Sequence, residues 1–362
     1  MAKPLQNSVN PCKSVSNIGG DAMAIILYKE PELKNPVMFC GWPGIGNIGL
    51  TAMDTLKMVL RAEEFGQIEP WDFFDPQKVT IEKGLLKNLE FPSNKFYFCR
   101  KASLSGQRLE TCPEPGRRDR DSIFFIGQQQ PGEGPTRYAQ GQKAYQMANL
   151  VLDVAEKFGC QRVYTSGAAV TQIHHTARPR VWAVPNKQNL IAEIKQYENT
   201  ILMSQIEGRG GQGAITGLNG LLLGVAKKRG LEAICLMGEI PYYLQAAPWP
   251  YPKGSKSVIE VMLKIIDITV NPSASSGQAL SKLDELAQKV EENIEGFLES
   301  LYTAEAVPPE VRDEIEKLRH VSHEPGPITE EEQKKIMEHI DELFDQRPWK
   351  DEKGPPTGGG TQ

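Results

Sequence analysis

Apolar positions along this chain follow two periods in turn. Short apolar or alternating runs at 23–28, 36–40, 122–126, 162–165, 181–184, 201–207 and 233–240 read as β-strands. Several are apolar throughout, as in strands buried on both faces. Between them, apolar residues recur every three or four positions. One predicted helix is 48–61, where Ile48, Met53, Leu56 and Leu60 share a side. Another is 138–158, closed by Gly159 as a C′ glycine. Further helices are predicted over 188–197, from Gly217 to the basic end near 227–230, and over 257–269. Residues 63–68 read as extended, and 79–81, 85–91 and 96–100 as a meander punctuated by Gly84 and by Pro92-Ser93-Asn94. Residues 104–121, rich in Gly, Pro and charge, read as a long loop. The alternation predicts an α/β fold: a three-layer wound, mixed or parallel sheet with helices on both faces, phosphorylase- or hydrolase-like, followed by an α-helical C-terminal extension.

The pattern changes at Val270-Asn271-Pro272-Ser273-Ala274-Ser275-Ser276-Gly277, a linker by composition. Beyond it Leu280, Leu283, Ala287, Val290, Ile294, Phe297 and Leu301 alternate spacings of three and four, an a/d seam. Two readings stay open: the helix folds back onto its own domain, or Leu280, Leu283, Val290, Ile294, Phe297 and Leu301 form an interface with another chain. Pro308-Pro309 and the capping box Thr329-Glu330-Glu331-Glu332 open two more helices. The expected organisation is a flexible arm (1–22), an α/β domain (23–271), an acidic helical region (277–346) and a disordered tail (347–362).

Composition narrows the function. The 362 residues carry a formal net charge of −5. No basic stripe is on offer, so nucleic acid is not an expected partner. The cluster Arg117-Arg118-Asp119-Arg120-Asp121 is interleaved with acids and reads as a solvated loop. No apolar run reaches membrane-spanning length, so no membrane partner is expected, and there is no signal-type N-terminus. Six cysteines without paired spacing point to a reducing, cytoplasmic setting.

Candidate chemistry gathers at predicted strand ends. Gly44-Ile45-Gly46-Asn47-Ile48-Gly49 matches G-x-G-x-x-G after a strand and before a helix. A dinucleotide site also needs an acid closing the next strand, whereas Glu63 and Glu64 open it. No cofactor is expected; a structural turn or another anion or ligand site remains. Ser166, in Tyr164-Thr165-Ser166-Gly167-Ala168, lacks the glycine spacing of a nucleophile elbow. His174-His175 read as turn residues. His320, His323 and His339 have no cysteine partners, so no metal is expected. Glu239, after the apolar strand, is the acid placed where wound folds bind ligands. The strand-end rim is expected to gather Gly44, Gly46, Asn47, Gln128, Ser166, Gly167, Gly213 and Glu239, for a ligand, a partner or simply tight turns; no catalytic residue is assigned.

Four segments, in order, resemble the proteasome assembly chaperone 2 family: Gly41-Trp42-Pro43-Gly44-Ile45-Gly46-Asn47-Ile48-Gly49, Tyr164-Thr165-Ser166-Gly167-Ala168-Ala169, Gly217-Leu218-Asn219-Gly220-Leu221-Leu222-Leu223 and Leu236-Met237-Gly238-Glu239-Ile240-Pro241. The match spans about residues 23–270. The resemblance implies a fold similar to nucleoside phosphorylases, self-association into trimers, tetramers or pentamers, and chaperoning of proteasome assembly. Gly44, Gly46, Gly49, Gly217, Gly220 and Glu239 fall on family motif positions as fold-forming residues, and the family transfers no catalytic residue. Proteasome-binding relatives end in a hydrophobic residue, a tyrosine and one last residue; this chain ends Gly358-Gly359-Gly360-Thr361-Gln362. Contact is therefore expected from the acidic helices after Pro272. The expectation is a homo-oligomeric, protein-binding chaperone with proteasome subunits among its partners. The alternatives are a small-molecule enzyme of nucleoside phosphorylase or hydrolase type using the rim near Glu239, and a structural oligomer.

Overall fold

The computed structural model describes residues 25–101, 120–132, 141–203, 213–271 and 275–303, with Asp313, Glu316 and Lys317. Its strands are β1 (Ile25–Leu27), β2 (Val37–Gly41), β3 (Glu63–Ile68), β4 (Lys78–Glu82), β5 (Leu85–Glu90), β6 (Asn94–Cys99), β7 (Ser122–Gly127), β8 (Arg162–Thr171), β9 (Val181–Pro185), β10 (Thr200–Leu202) and β11 (Ala233–Pro241). A nine-stranded sheet has the order β1-β3-β6-β7-β2-β8-β11-β9-β10. Its centre, β7-β2-β8-β11, is parallel, and β1, β3 and β6 continue it antiparallel on one side. On the other side β9 runs antiparallel to β11, and β10 parallel to β9. Every residue of β2, β7 and β11 is buried, as a sheet covered on both faces requires.

The helices are α1 (Ile48–Val59), α2 (Gly141–Lys157), α3 (Ile191–Ile194), α4 (Gly217–Lys228), α5 (Pro252–Ile265) and α6 (Ser275–Thr303). Alternate strand residues sort into two large cores, with a small third cluster of Ala169, Trp182, Cys235 and Met237. Val37, Phe39, Phe124, Tyr164, Ile234 and Leu236 face α1, α5 and α6, and Phe39 lies between Phe124 and Tyr164 at centroid distances of 5.7 and 5.2 Å. Met38, Cys40, Ile123, Phe125 and Val163 face α2 and α4. The three-layer α/β architecture with a C-terminal helix is thus as the sequence predicts.

Several boundaries move. Strand β8 does not stop at Thr165; it pairs with β11 as far as Thr171↔Pro241, so Ser166, Gly167 and Glu239 lie within strands. Helix α5 starts at Pro252, a proline at the first helical turn, where its missing N–H costs nothing. The predicted helix over 188–197 is a 3-10 turn followed by the short α3. The pair β4–β5 forms a separate two-stranded hairpin instead of joining β6. The predicted start of α2, the end of the 201–207 strand and the loop at 104–119 lie outside the described residues, as do the first arm, the last predicted helix and, apart from the helical Asp313, Glu316 and Lys317, the helix predicted after Pro309.

The seam of α6 is also corrected. Leu283, Val290, Ile294 and Phe297 are buried against the domain's own α1 and α5, with Leu280 packed at the edge. They are core residues in place of a free interface. Leu301 is helical, and its side chain lies outside the description. The four described cysteines, Cys40, Cys99, Cys160 and Cys235, are buried free thiols. Burial pushes Cys99, Cys160 and Cys235 up to about 12 and Cys40 well above the ordinary thiol range. Among the described residues no helix is long and apolar enough to cross a membrane.

Candidate functional site

The turn after β2 carries the G-x-G-x-x-G run. Trp42 is buried with its ring 6.3 Å from that of Phe125, and the Asn47 N–H donates to the Gly44 carbonyl at 2.9 Å. Gly46 and Asn47 both take positive φ, 55° and 47°. Gly46 has a second constraint: an added Cβ would sit 2.7 Å from Ile240 Cδ1 and 3.0 Å from Tyr251 Cβ. At Gly49 a Cβ would sit 2.3 Å from the Ser166 carbonyl oxygen. These glycines let α1 close onto β8 and the loop before α5. Gly44 alone of the three faces open space.

Gln130 draws the strand ends together. Its amide donates to the Pro43 carbonyl at 2.7 Å, and its Oε1 accepts from the Leu218 N–H at 3.0 Å. One side chain thus joins the turn after β2, the turn after β7 and the first turn of α4. Gln128, the glutamine singled out from the sequence, points elsewhere. It exchanges hydrogen bonds with Ser93 at the β5–β6 turn, 2.9 Å each way. Gly213 lies against Met203, and the segment between those two residues is outside the description.

Ser166 and Glu239 are engaged inside the fold. The Ser166 hydroxyl, 1% exposed, donates to the Cys40 carbonyl at 3.1 Å, with the Gly49 carbonyl at 3.4 Å. It staples β8 to the β2 end and the α1 start. Beside it, Gly167 makes room for Asn219 of α4. Glu239 is fully buried. Its carboxylate accepts from the Arg180 N–H at 2.8 Å, from the Arg180 guanidinium at 3.2 Å and from the Trp182 indole N–H at 2.9 Å. A buried charge needs such a set of partners. The carboxylate faces the β8–β9 connection and β9, so the placement of Glu239 on an open rim is corrected.

A second polar cluster joins α6 to the domain, and its centre was read as a turn. The His175 side chain is fully buried. Its backbone N–H donates to the Tyr243 hydroxyl at 2.9 Å, and that hydroxyl donates to Nδ1 at 2.9 Å. The network therefore assigns the proton to Nε2, which donates to Glu295 Oε1 on α6 at 2.9 Å. Lys253 at the start of α5 donates to the His175 carbonyl at 3.0 Å and to Glu291 at 2.6 Å. Burial lowers the His175 pKa from its ordinary 6.5, outweighing the opposing pull of Glu295 and Glu291. His175 was legible only as a turn residue, because its partners lie 68 and 120 residues away.

Among the described residues no group of three or more His, Cys, Asp or Glu side chains is placed to hold a metal ion. His320, His323 and His339 lie outside them.

This fold recurs in known proteins. The model of the PAC2 family matches residues 38–298. The uncharacterized protein MJ1210 of Methanocaldococcus jannaschii is 27% identical over 289 residues, 78% of this chain and 92% of that protein. The structure of Pyrococcus furiosus PbaB, described as an archaeal proteasome activator, is 28% identical with a TM-score of 0.57, over 75% of this chain and 97% of that one. A PAC2 family protein from Streptomyces avermitilis, 19% identical with a TM-score of 0.53 over 77% of this chain and 99% of its own, shares the fold. The family model covers most of the chain, including the glycine turn, the Gln130 link, the buried Glu239 and most of α6: the chain belongs to the PAC2 family.

Proposed function

We propose that the protein is a cytoplasmic, self-associating chaperone of the proteasome-assembly type, which works by binding other proteins and carries out no chemistry of its own. The observation that carries this reading is its likeness to the Pyrococcus furiosus proteasome activator along nearly the whole of that chain. The strand ends support it. Glu239, the acid near which an enzyme of phosphorylase or hydrolase type would work, and Ser166 are each engaged in holding strands, helices and loops together. The partners proposed are further copies of the chain and proteasome subunits, with residues beyond Thr303 as the contact.

The test is capture from a lysate of the source organism, with tagged full-length chain and a chain ending at Thr303, read by mass spectrometry. Truncation at Pro272 is unsuitable, because it removes core residues. Proteasome subunits enriched on the full chain and lost from the shorter one are expected. Enrichment on both moves the contact into the described domain. Enrichment on neither overturns the proteasome reading.

A further inference from the structure

The β4–β5 hairpin has two unlike faces. Its register pairs Lys78 with Glu90, Val79 with Leu89, Thr80 with Asn88, Ile81 with Leu86 and Glu82 with Leu85. Side chains alternate across a strand, and the one shift, between Thr80 and Ile81, puts an extra residue, Lys87, into β5. One face therefore carries Val79, Ile81, Leu86 and Leu89. The other carries charged pairs beside one exposed leucine: Lys78 pairs with Glu90 at 3.1 Å, Lys87 with Glu82 at 2.5 Å, Thr80 donates to Glu90, and Leu85 stands opposite Glu82. The apolar side is open, with Val79 50%, Ile81 67% and Leu86 73% exposed. A lone two-stranded hairpin is marginal in water, and contiguous exposed apolar side chains mark a contact surface.

The geometry points to a second copy of this chain as the occupant, paired edge to edge through β4. The β5 edge is interrupted by its bulge, which makes it a poor template. The β4 edge is regular, and its sequence, Lys78-Val79-Thr80-Ile81-Glu82, is complementary to itself. Laid antiparallel about a twofold axis at Thr80, Lys78 faces Glu82 of the second copy, and Val79 faces its Ile81. The internal ion pairs extend this match. Glu90 stands across from Lys78, which would face Glu82 of the second copy; that Glu82 is paired diagonally with its own Lys87 and has Leu85 directly across from it. On the apolar side Leu86, Ile81, and Val79 and Leu89 of the second copy form an unbroken row, repeated once by symmetry. Strand β5 set on itself about Lys87 would oppose like charges. Two ribbons become a four-stranded sheet, and the contact is isologous. It requires an even number of chains, so a closed ring of three or five would need another interface.

This inference rests on the self-association in the proposed function, and the test separates the two. Full-length wild type, Ile81→Glu/Leu86→Glu and Thr80→Cys are compared; the altered side chains are at a surface hairpin, so the fold is retained. Sedimentation velocity is expected to give an even multiple for wild type and half that mass for the double variant. Mild oxidation is expected to cross-link Thr80→Cys into a dimer, because directly opposed Cα atoms sit about 4.5–5.5 Å apart, within disulfide reach. Asn88→Cys and wild type, oxidised alongside, are expected to stay uncross-linked. Both results are required. An unchanged mass for the double variant, or no cross-link at position 80, overturns the hairpin contact and leaves self-association standing. A monomeric wild type overturns both. Loss of a co-purifying protein from the double variant of such a monomer would assign the hairpin to a partner instead.

Discussion

Removing the Glu239 carboxylate would leave the Arg180 guanidinium, the Arg180 N–H and the Trp182 indole N–H without their shared acceptor. Glu239→Ala is expected to cost about 1–3 kcal/mol in urea unfolding, the usual penalty for leaving a buried hydrogen-bond donor unsatisfied. Glu239→Gln keeps an acceptor for Trp182 and is expected to lose less. His175 gives a pH dependence. Its folded pKa lies below the unfolded 6.5, so the unfolded chain takes up the proton first. Its contribution is therefore complete above 6.5 and is lost as pH falls from there through the lower folded value. Between pH ~7.5 and ~5.5 wild type is expected to lose stability more steeply than His175→Gln, by at most about 1.4 kcal/mol per pH unit. Parallel slopes for the two proteins would reject this role. Glu239 could be singled out from sequence because an acid after an apolar strand falls where wound folds bind ligands. Its partners could not be, since they precede it by 57 and 59 residues on a neighbouring strand and its connecting loop.

At the level of elements, α6 makes the clearest demand. Ile294 and Phe297, 1% and 6% exposed, fill the core between α1, α5 and α6. Ile294→Ala and Phe297→Ala are each expected to destabilise by about 2–5 kcal/mol, whereas Glu292→Ala on the outer side should stay within about 0.5 kcal/mol. Equal, small effects in denaturant titrations would mean that the helix does not belong to the domain. The a/d spacing located the buried side of α6 correctly. Periodicity defines a side without naming what covers it, so the choice between self and partner was open until the helix was seen on α1. Strand β8 hid its length for a different reason. Ser166-Gly167 reads as a turn, yet Gly167 is there because Asn219 needs the space a Cβ would occupy. Close approach and chain reversal both select glycine, and one sequence does not separate them.

For the molecule as a whole, the parallel centre of the sheet was readable because β2, β7 and β11 are apolar almost throughout. The antiparallel insertion of β9 beside β11 was not, since its pairing partner is set by tertiary packing and not by local pattern. The same layering has a kinetic consequence. Cys40, Cys99, Cys160 and Cys235 are all buried in one sandwich, on or beside different strands, and each thiol is both shielded and held protonated. A thiol reagent can then react only when the layers part, so the labelling rate at each position times the opening of its own region. In a chain with Cys12 and Cys112 replaced by serine, Cys99 at the end of β6 is expected to label first and Cys235, in β11 at the heart of the sheet, last. Simultaneous labelling of all four would mean that the domain opens as one unit. The cysteines thus make this protein its own stopwatch.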